Sequence, residues 1–277
     1  MIDQSALLNF THTARILAQG SGFIYLLPHP ALRSWISNYT VTFPGDSYIS
    51  ANYTVIPHGS ATLVFSLNDS ALHSTLYGPA TKPCQVGSRA NQYAMLVIIE
   101  FQPAGLFAFT NMKQSELTDR ILPFDIINQR LNNLIADTLY SAATLTELAD
   151  GMDALLLSSL NTIYPDALRQ TTQLIVDNMG VISAKELSEH VYYSERHMNR
   201  IFDQFLGMSV KSFSRLVRIN KAVRLLNNPS HSVTYACHAT GFYDLSHFIR
   251  DFESACGLTP ETYRKNMSDF YSQIAKF

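Results

Sequence analysis

The sequence SERHMNRIFDQFLG occupies residues 194–207 and has the layout of one short amphipathic helix. Ser194 can cap the helix by accepting backbone N–H groups of the first turn, and Gly207 suits the left-handed residue that ends a helix. The apolar residues are spaced by three, one and three, which places them on one face: Met198, Ile201, Phe202 and Phe205. The opposite face carries Glu195, Arg196, Asn199, Arg200 and Asp203. Because arginine and asparagine can form bidentate bonds with base edges, this stretch predicts a helix that reads the DNA major groove.

A second copy of the pattern, DLSHFIRDFESACG, lies fifty residues later at residues 244–257. The preceding helices align with an offset of 48, so that Leu187-Ser188 corresponds to Tyr235-Ala236 and two extra residues fall in the second turn. We therefore predict two helix-turn-helix units, at about 183–207 and 232–257, each ending in a helix with an exposed arginine. Four residues of the first copy, His197, Arg200, Phe202 and Gly207, recur in the second as His247, Arg250, Phe252 and Gly257.

The second unit and the residues after it contain four motifs in a fixed order. These are Gly241-Phe242-Tyr243-Asp244, then Ser246-His247-Phe248-Ile249-Arg250-Asp251-Phe252, then Gly257-Leu258-Thr259-Pro260, then Tyr263-Arg264. With this order and spacing, residues 167–267 resemble the AraC/XylS family of transcription regulators. The resemblance implies two helix-turn-helix subdomains joined by one long helix, with the recognition helices in adjacent major grooves on one DNA face. The chain departs from the family at Tyr235-Ala236, where isoleucine-alanine is usual, and at Ser188, where alanine is usual.

The first half of the chain has the composition of β-structure from Gly22 onward. Segments rich in aromatic and branched residues lie at 23–27, 34–43, 53–56, 61–67 and 93–101, and prolines and glycines separate them. This spacing predicts an antiparallel sandwich or barrel of the cupin type, with 93–101 as a central strand. Two amphipathic helices are predicted to follow, at about 123–140 and 144–163. Together with the helical C-terminal part, the fold class is predicted to be α+β.

Pro165 marks the predicted boundary between two domains, residues 1–164 and 165–277. The motifs Ile56-Pro57-His58-Gly59, Phe101-Gln102-Pro103-Ala104-Gly105 and Glu116-Leu117-Thr118-Asp119-Arg120 resemble an uncharacterised β-rich domain found ahead of AraC-type units. The resemblance implies a sensing or dimerisation domain and names no ligand. Leu156 and Leu160 belong to an apolar stripe in the helix 144–163 that is either internal core or a dimer interface, and we expect it to serve both purposes.

Charge differs between the two halves of the chain, although the net charge is only −2. Residues 1–170 hold 8 Lys+Arg and 12 Asp+Glu, whereas residues 171–277 hold 12 and 10. This difference has the sign expected of a DNA-binding C-terminal half. Since phosphate contacts dominate affinity, we expect modest DNA binding unless the protein dimerises.

Three features of the sequence bear on the cellular compartment. The chain has three cysteines, it has no apolar run of 18 residues, and it begins with MIDQSALLNF. An odd, low cysteine count gives no disulfide framework and fits a reducing cytoplasm. The apolar runs are too short to span a membrane, and the N-terminus lacks the layout of a signal peptide. We therefore expect a cytoplasmic protein without a membrane partner.

The sequence predicts no catalytic residues, no cofactor and no metal. His29, His58, His73 and Glu100 lie in the β-rich half, as cupin-type ligands would, but their spacing does not match a metal site. Cys84 follows Lys82 closely, and a nearby cation would lower the pKa of its thiol, although a plain strand-edge cysteine is the simpler interpretation.

The sequence thus predicts a DNA-binding transcription regulator, not an enzyme. The expected partners are double-stranded DNA, a small-molecule effector, a second copy of the chain and, if the protein is an activator, RNA polymerase. Two alternatives stay open: a cupin-like metalloenzyme domain fused to a DNA-binding tail, and a ligand-free oligomerisation module with a DNA-binding domain. The candidate DNA-binding residues lie on the exposed faces of the two recognition helices: Ser194, Arg196, His197, Asn199, Arg200, Ser246, His247, Ile249 and Arg250.

Overall fold

The computed structural model describes residues 2–45, 49–68, 71–161 and 164–267, and the backbone of 270–271. Its strands, numbered in chain order, are β1 (Ile16–Gln19), β2 (Phe23–Leu26), β3 (Ile36–Thr42), β4 (Thr54–Val55), β5 (Thr62–Asn68), β6 (Ala71–Tyr77), β7 (Cys84–Gln85), β8 (Met95–Phe101), β9 (Ile121–Pro123) and β10 (Phe270–Tyr271). Its α-helices are α1 (Phe107–Thr110), α2 (Phe124–Ser141), α3 (Leu145–Ser159), α4 (Asp166–Asp177), α5 (Ala184–Val191), α6 (Glu195–Phe205), α7 (Val210–Leu226), α8 (Val233–Ala239), α9 (Leu245–Cys256) and α10 (Pro260–Lys265). The predicted α+β class is confirmed.

The N-terminal half is built on a seven-stranded antiparallel sheet with the order β1-β2-β3-β8-β5-β6-β9. Strand β8 lies in its middle, which confirms the central strand predicted from its apolar sequence. Along β5, Leu63, Phe65 and Leu67 are buried in the core, as the alternating pattern predicts. A small three-stranded sheet, β10-β4-β7, brings the C-terminal residues 270–271 back to the N-terminal half, where β10 pairs with β4 in parallel.

Helix α2 is interrupted at Asn128, which the predicted continuous helix does not anticipate. Asn128 has non-helical backbone angles, with φ −150° and ψ 84°. Its side-chain oxygen accepts from Leu131 N and its amide nitrogen donates to Phe109 O, both at 3.0 Å. Asn128 therefore acts as a second N-cap, and the hydrogen bond that holds the break comes from a residue nineteen positions away in the sequence.

Helix α3 is anchored to the sheet by a buried carboxylate, Asp153. Its Oδ1 accepts from the Tyr39 hydroxyl at 2.9 Å, and its Oδ2 lies 2.7 Å from Arg15 Nη2. Leu156, one turn further along, is only 1% exposed inside the core of its own chain, and Leu160 packs against the same core. The part of the apolar stripe at Leu156 is therefore internal core, whereas Leu160 is only partly buried, and a dimer interface on this helix stays a prediction.

The C-terminal half is helical, and its two helix-turn-helix units are α5–α6 and α8–α9, joined by α7. Serine caps open the first helix of each unit, Ser183 before α5 and Ser232 before α8, which gives an offset of 49. With this offset, the buried Leu187 corresponds to the buried Ala236, whereas Tyr235 is 49% exposed. The predicted offset of 48 is wrong, because it matches the aromatic Tyr235 with a core leucine. The recognition helices keep their offset of 50, so the second turn is longer by one residue and not by two.

Two hydrophobic clusters organise the chain, one around the sheet and one around the C-terminal helices. Tyr164 packs against both, just before the boundary that we propose at Pro165. The second cluster also includes Ile56 and Ala104 from the N-terminal half, and Asn220 of α7 donates to Pro57 O at 2.9 Å. The two halves therefore share an apolar interface.

Candidate nucleic-acid interface

Helix α6 forms as its sequence predicts. The Ser194 hydroxyl accepts from His197 N at 3.3 Å, and all four apolar residues of the predicted face are buried: Met198, Ile201, Phe202 and Phe205. Phe202 meets Phe213 of α7 edge-on, with ring centroids 5.9 Å apart. Burial of this face fixes which side of the helix points outward.

Arg196 and Arg200 lie exposed on that outward side, one turn apart on the same stripe. Arg200 Nη2 lies 3.1 Å from His197 Nδ1, and the His197 ring stacks on Tyr193 with centroids 4.6 Å apart. His197 therefore orients Arg200 from one side. The two guanidinium groups offer the planar donor pattern that recognises guanine edges or phosphates.

Asn199 has a structural role that its predicted position in the groove does not reveal. Its side-chain oxygen accepts from Val210 N at 3.1 Å, and its amide nitrogen donates to Glu195 O at 3.0 Å. The first bond ties α6 to the start of α7, and the second lies within α6. Both polar atoms of the Asn199 side chain already have partners in the protein, and base reading by Asn199 stays a prediction.

Helix α9 repeats the architecture of α6 with a different surface. Asp244 caps it by accepting from His247 N at 2.8 Å, and Phe248 and Phe252 are fully buried. Among the predicted contact residues, Ser246, His247 and Arg250 are exposed, whereas Ile249 is half-buried against the core. His247 Nε2 lies 3.5 Å from Asp251 Oδ2. His247 therefore faces a carboxylate, whereas the matched His197 in α6 faces Arg200.

The two units are held against each other by the long helix α7. Arg218 donates to Gly180 O at 3.0 Å, and its guanidinium lies 4.9 Å from the centre of the Phe242 ring. Partial burial lowers the pKa of Arg218. Gly241 has φ +75°, and a Cβ there would lie 2.7 Å from Val181, in the connection that leads into the first unit. The turn of the second unit therefore packs closely on the first, and this limits independent movement of the recognition helices.

The C-terminal end of α6 docks on the N-terminal half, a contact that the sequence did not reveal. Lys113 Nζ lies 2.6 Å from Asp203 Oδ2, and the Thr118 hydroxyl donates to Gly207 O at 2.8 Å. The pairing with Asp203 raises the pKa of Lys113. An open cleft of about 200 Å³ lies beside this pair and is lined by Phe107, Asn111, Lys113, Arg200, Asp203 and Gln204. One of the predicted DNA-reading arginines thus borders the interface between the two halves.

Aromatic rings fill the base of the same interface. Phe107 of α1 lies 4.5 Å from Phe205 of α6, and Tyr164 lies 5.4 Å from Phe205, measured between ring centroids. The Tyr164 hydroxyl donates to Ala104 O at 2.6 Å. Burial raises the pKa of Tyr164, which keeps the phenol neutral. This cluster joins the β-domain, the inter-domain segment and the first recognition helix.

Two of the side chains considered for metal binding have other partners in the structure. His29 Nδ1 accepts from Ala31 N at 3.2 Å, and His58 Nδ1 lies 2.7 Å from Ser60 Oγ. Within the described part of the chain, no group of three or more His, Cys, Asp or Glu side chains is arranged to hold a metal ion. Burial raises the pKa of Cys84, which lies in the edge strand β7, so the structure favours a plain strand-edge cysteine over a thiol activated by Lys82. No helix among the described residues is long and apolar enough to cross a membrane.

Two protein-family models match the chain. A helix-turn-helix domain matches residues 187–266, and a domain of unknown function (DUF6597) matches residues 25–123. The first match covers most of both units described above. The second coincides with the strands β2 to β9.

Curated relatives match over the C-terminal part. The arabinose operon regulatory protein of Escherichia coli is 26% identical over 119 residues, which are 42% of this chain and 41% of that protein. The uncharacterized HTH-type transcriptional regulator YfiF of Bacillus subtilis is 28% identical over 132 residues, 42% of each chain. This chain thus covers less than half the length of these relatives.

Parts of the chain are also similar to solved structures. A probable AraC family transcriptional regulator from Rhodopseudomonas palustris is 29% identical and covers 36% of this chain and 96% of its own, with a TM-score of 0.34. ToxT from Vibrio cholerae covers 84% of this chain and 98% of its own at 11% identity, with a TM-score of 0.42.

Proposed function

We propose that this protein is a sequence-specific DNA-binding transcription regulator with a C-terminal domain of the AraC type, supported by the helix-turn-helix match at residues 187–266 and by the similarity to the arabinose operon regulatory protein. The observation that carries the proposal is the repeat itself. Two capped helices, α6 and α9, each bury a phenylalanine face and expose an arginine at the matched positions 200 and 250. A pair of such helices on one rigid domain suits two successive turns of the major groove. The proposed role is binding, with no catalytic step.

Each recognition helix contributes base reading in this proposal. Arg200 and Arg250 lie on the outward faces, where a guanidinium can donate to guanine O6 and N7. Arg196 and the exposed His247 are suited to phosphate or base contacts near the helix starts, and the caps Ser194 and Asp244 fix those starts. The charge of residues 171–277 is only slightly positive, so phosphate attraction alone would give weak binding. Specific contacts, or self-association of the regulator, would have to supply the remaining affinity.

We also propose that the N-terminal domain controls DNA binding through its contact with α6. Lys113 and Phe107 lie in the same cleft as Arg200, so a DNA backbone beside Arg200 would meet α1 and the residues directly after it. Movement of the N-terminal domain away from α6 would open this side of the helix. A signal shifts such an equilibrium only if it binds one arrangement more tightly than the other.

A small-molecule effector bound by the N-terminal domain is the signal that we propose. Strands β3, β5 and β8 bury polar side chains on the face opposite to Tyr39 and Val41. Asn38, Thr40, Thr42, Ser66 and Glu100 all belong to this polar layer. Buried polar groups in a β-domain supply the few directed hydrogen bonds by which small-molecule sites achieve specificity. Recruitment of RNA polymerase, a cytoplasmic location and pairing of two copies are further parts of the proposal.

Selection of duplex DNA from a random library by the full chain tests the proposed function. We expect one enriched sequence with two separated elements, bound at least tenfold more tightly than a scrambled duplex at the same salt concentration. Equal affinity for the enriched and scrambled duplexes would contradict the proposal. Native mass spectrometry of the purified protein tests the effector separately, since a retained ligand adds a defined mass.

A further inference from the structure

The two recognition helices present different chemistry at matched positions. Near the start of α6, two pairs of side chains lie one turn apart: Glu195 with Asn199, and Arg196 with Arg200. In α9, the matched pairs are Leu245 with Ile249 and Ser246 with Arg250. Each pair is separated by four residues and therefore lies on one side of its helix. At three of the four matched positions, a charged or amide side chain in α6 is thus replaced by an apolar or small one in α9.

Leu245 lies partly exposed at the start of α9. It is the first residue of α9, directly after the Asp244 cap, and its side chain is 39% exposed. Recognition helices contact base edges mainly through their N-terminal residues. A leucine at this position brings a methyl-rich surface to the groove without any hydrogen-bonding group.

Tyr243 adds a second exposed apolar surface at the same helix start. It is 96% exposed, whereas its counterpart Tyr193 in the first unit is 40% exposed and stacks on His197. His247 contacts Phe242 edge-on and lies near Asp251, so it leaves the Tyr243 ring uncovered. The second unit therefore presents Tyr243, Leu245 and part of Ile249 around its single arginine, Arg250.

We infer that α9 reads thymine methyl groups, so that the half-site under the second unit is rich in A·T pairs. This inference rests on the proposed function. The thymine C5-methyl is the one apolar group that base edges present in the major groove, and apolar side chains recognise it by contact. Leu245 is the principal contact residue, and Ile249 supports it from the next turn. Helix α6, with Glu195, Arg196 and Arg200, is suited instead to hydrogen-bonding edges such as guanine and cytosine.

Replacement of thymine by uracil tests the inference, because uracil keeps every hydrogen-bonding group of thymine and lacks only the methyl. The enriched duplex is prepared with each thymine replaced in turn, and binding of the full chain is measured at fixed salt. We expect at least one replacement in one half-site to weaken binding about fourfold, the equivalent of one buried methyl-sized group. If Arg250→Ala no longer distinguishes this half-site from a scrambled one, the half-site is the one that lies under α9.

Leu245→Ala is the decisive variant. It should bind the thymine and uracil duplexes equally, while Glu195→Ala, at the matched position of α6, and Leu8→Ala, an exposed leucine far from both helices, should keep the fourfold difference. No uracil effect with the wild-type chain, or a retained effect in Leu245→Ala, would overturn the inference and leave the proposed function intact. A chain that enriches no sequence would overturn both the inference and the proposed function.

Discussion

Helices α6 and α9 share one architecture and differ in what surrounds them. Both begin at a side-chain cap, both bury a phenylalanine face, and both end before a glycine with φ near +78°. The end of α6 is enclosed by Lys113, Thr118 and the Phe107 ring of the N-terminal domain. At the end of α9, a Cβ on Gly257 would lie 3.3 Å from Pro83, and Gly257 itself is exposed.

The comparison distinguishes two groups of residues in the repeat: those that fix the helices on the core and those that face outward. The shared features fix the helices on a common core, and the outward residues then vary without cost to folding. In the proposed mechanism, the closer contact at α6 lets the N-terminal domain act mainly on that helix, while α9 keeps an open helix start. A signal in the N-terminal domain would therefore act first on the half-site read by α6.

Truncation of the buried phenylalanines tests the shared core and should have the largest effect. Phe252 packs between Phe248 and Tyr263, with centroids 5.7 and 5.8 Å away, and Phe202 packs against Phe213. Phe252→Ala and Phe202→Ala should each lower stability by about 3–5 kcal/mol. Chemical denaturation of the full chain measures the loss, and hydrogen exchange should show it in the helical half while the sheet keeps its protection. An unchanged free energy of unfolding in either variant would mean that its ring is not part of the core. Tyr192→Ala, which removes an exposed ring, serves as the control.

Removal of the matched arginines tests the shared reading role. Arg200→Ala and Arg250→Ala should each weaken binding to the enriched duplex by about 1–3 kcal/mol, the range for one good base contact. Binding to random DNA should change less. Arg169→Ala, an exposed arginine on α4, is the control for loss of one positive charge. Wild-type affinity in both variants would refute groove reading by these residues.

The two glycines at the helix ends test whether the N-terminal domain approaches the end of α6 more closely than the end of α9. Gly257→Ala should cost about 1–2 kcal/mol, the strain of a left-handed backbone with a side chain. Gly207→Ala carries the same strain, and its Cβ would also lie 2.7 Å from Gln114 O, so the N-terminal domain must shift. Hydrogen exchange of residues 107–118 should rise in Gly207→Ala alone. An equal response from both variants would show that the N-terminal domain does not depend on close approach at α6.

Removal of the Lys113–Asp203 ion pair should have the smallest effect among these tests of the difference between α6 and α9. Lys113→Ala should leave stability nearly unchanged, because exposed ion pairs contribute little. It should tighten DNA binding several-fold if the N-terminal domain restrains α6. Lys82→Ala removes the same charge from an exposed position elsewhere in that domain and should have no effect. Weaker DNA binding in Lys113→Ala would instead identify Lys113 as a DNA contact.

Local sequence patterns were sufficient to predict the recognition helices and the central strands. Capping residues and apolar spacing are set within a few positions, so Ser194, Asp244 and the phenylalanine faces are where the pattern places them. The repeat offset failed because Tyr235 looks like a core residue by type, although the cap at Ser232 turns it outward. A cap-to-cap alignment of Ser183 with Ser232 would have given the correct offset.

Features that depend on distant residues could not be predicted. The break in α2 arises from the bond of Asn128 to Phe109, and the end of α6 is held by Lys113 and Thr118. Short strands such as β7 and β9 exist only because partners far along the chain accept their hydrogen bonds. The fixed role of Asn199 follows from its bond to Val210, which sequence alone does not distinguish from an amide free to read a base.

The most direct test of the central claim, that α6 and α9 read separate halves of one DNA site, is a scrambling experiment on the enriched duplex. Each half is scrambled in turn with its composition kept, and the affinities of wild type, Arg200→Ala and Arg250→Ala are measured at one salt concentration. The account predicts that wild type loses affinity when either half is scrambled. Arg200→Ala should become much less sensitive to one half, and Arg250→Ala to the other. If both variants keep the wild-type dependence on both halves, the two helices do not divide the site between them and the account is contradicted.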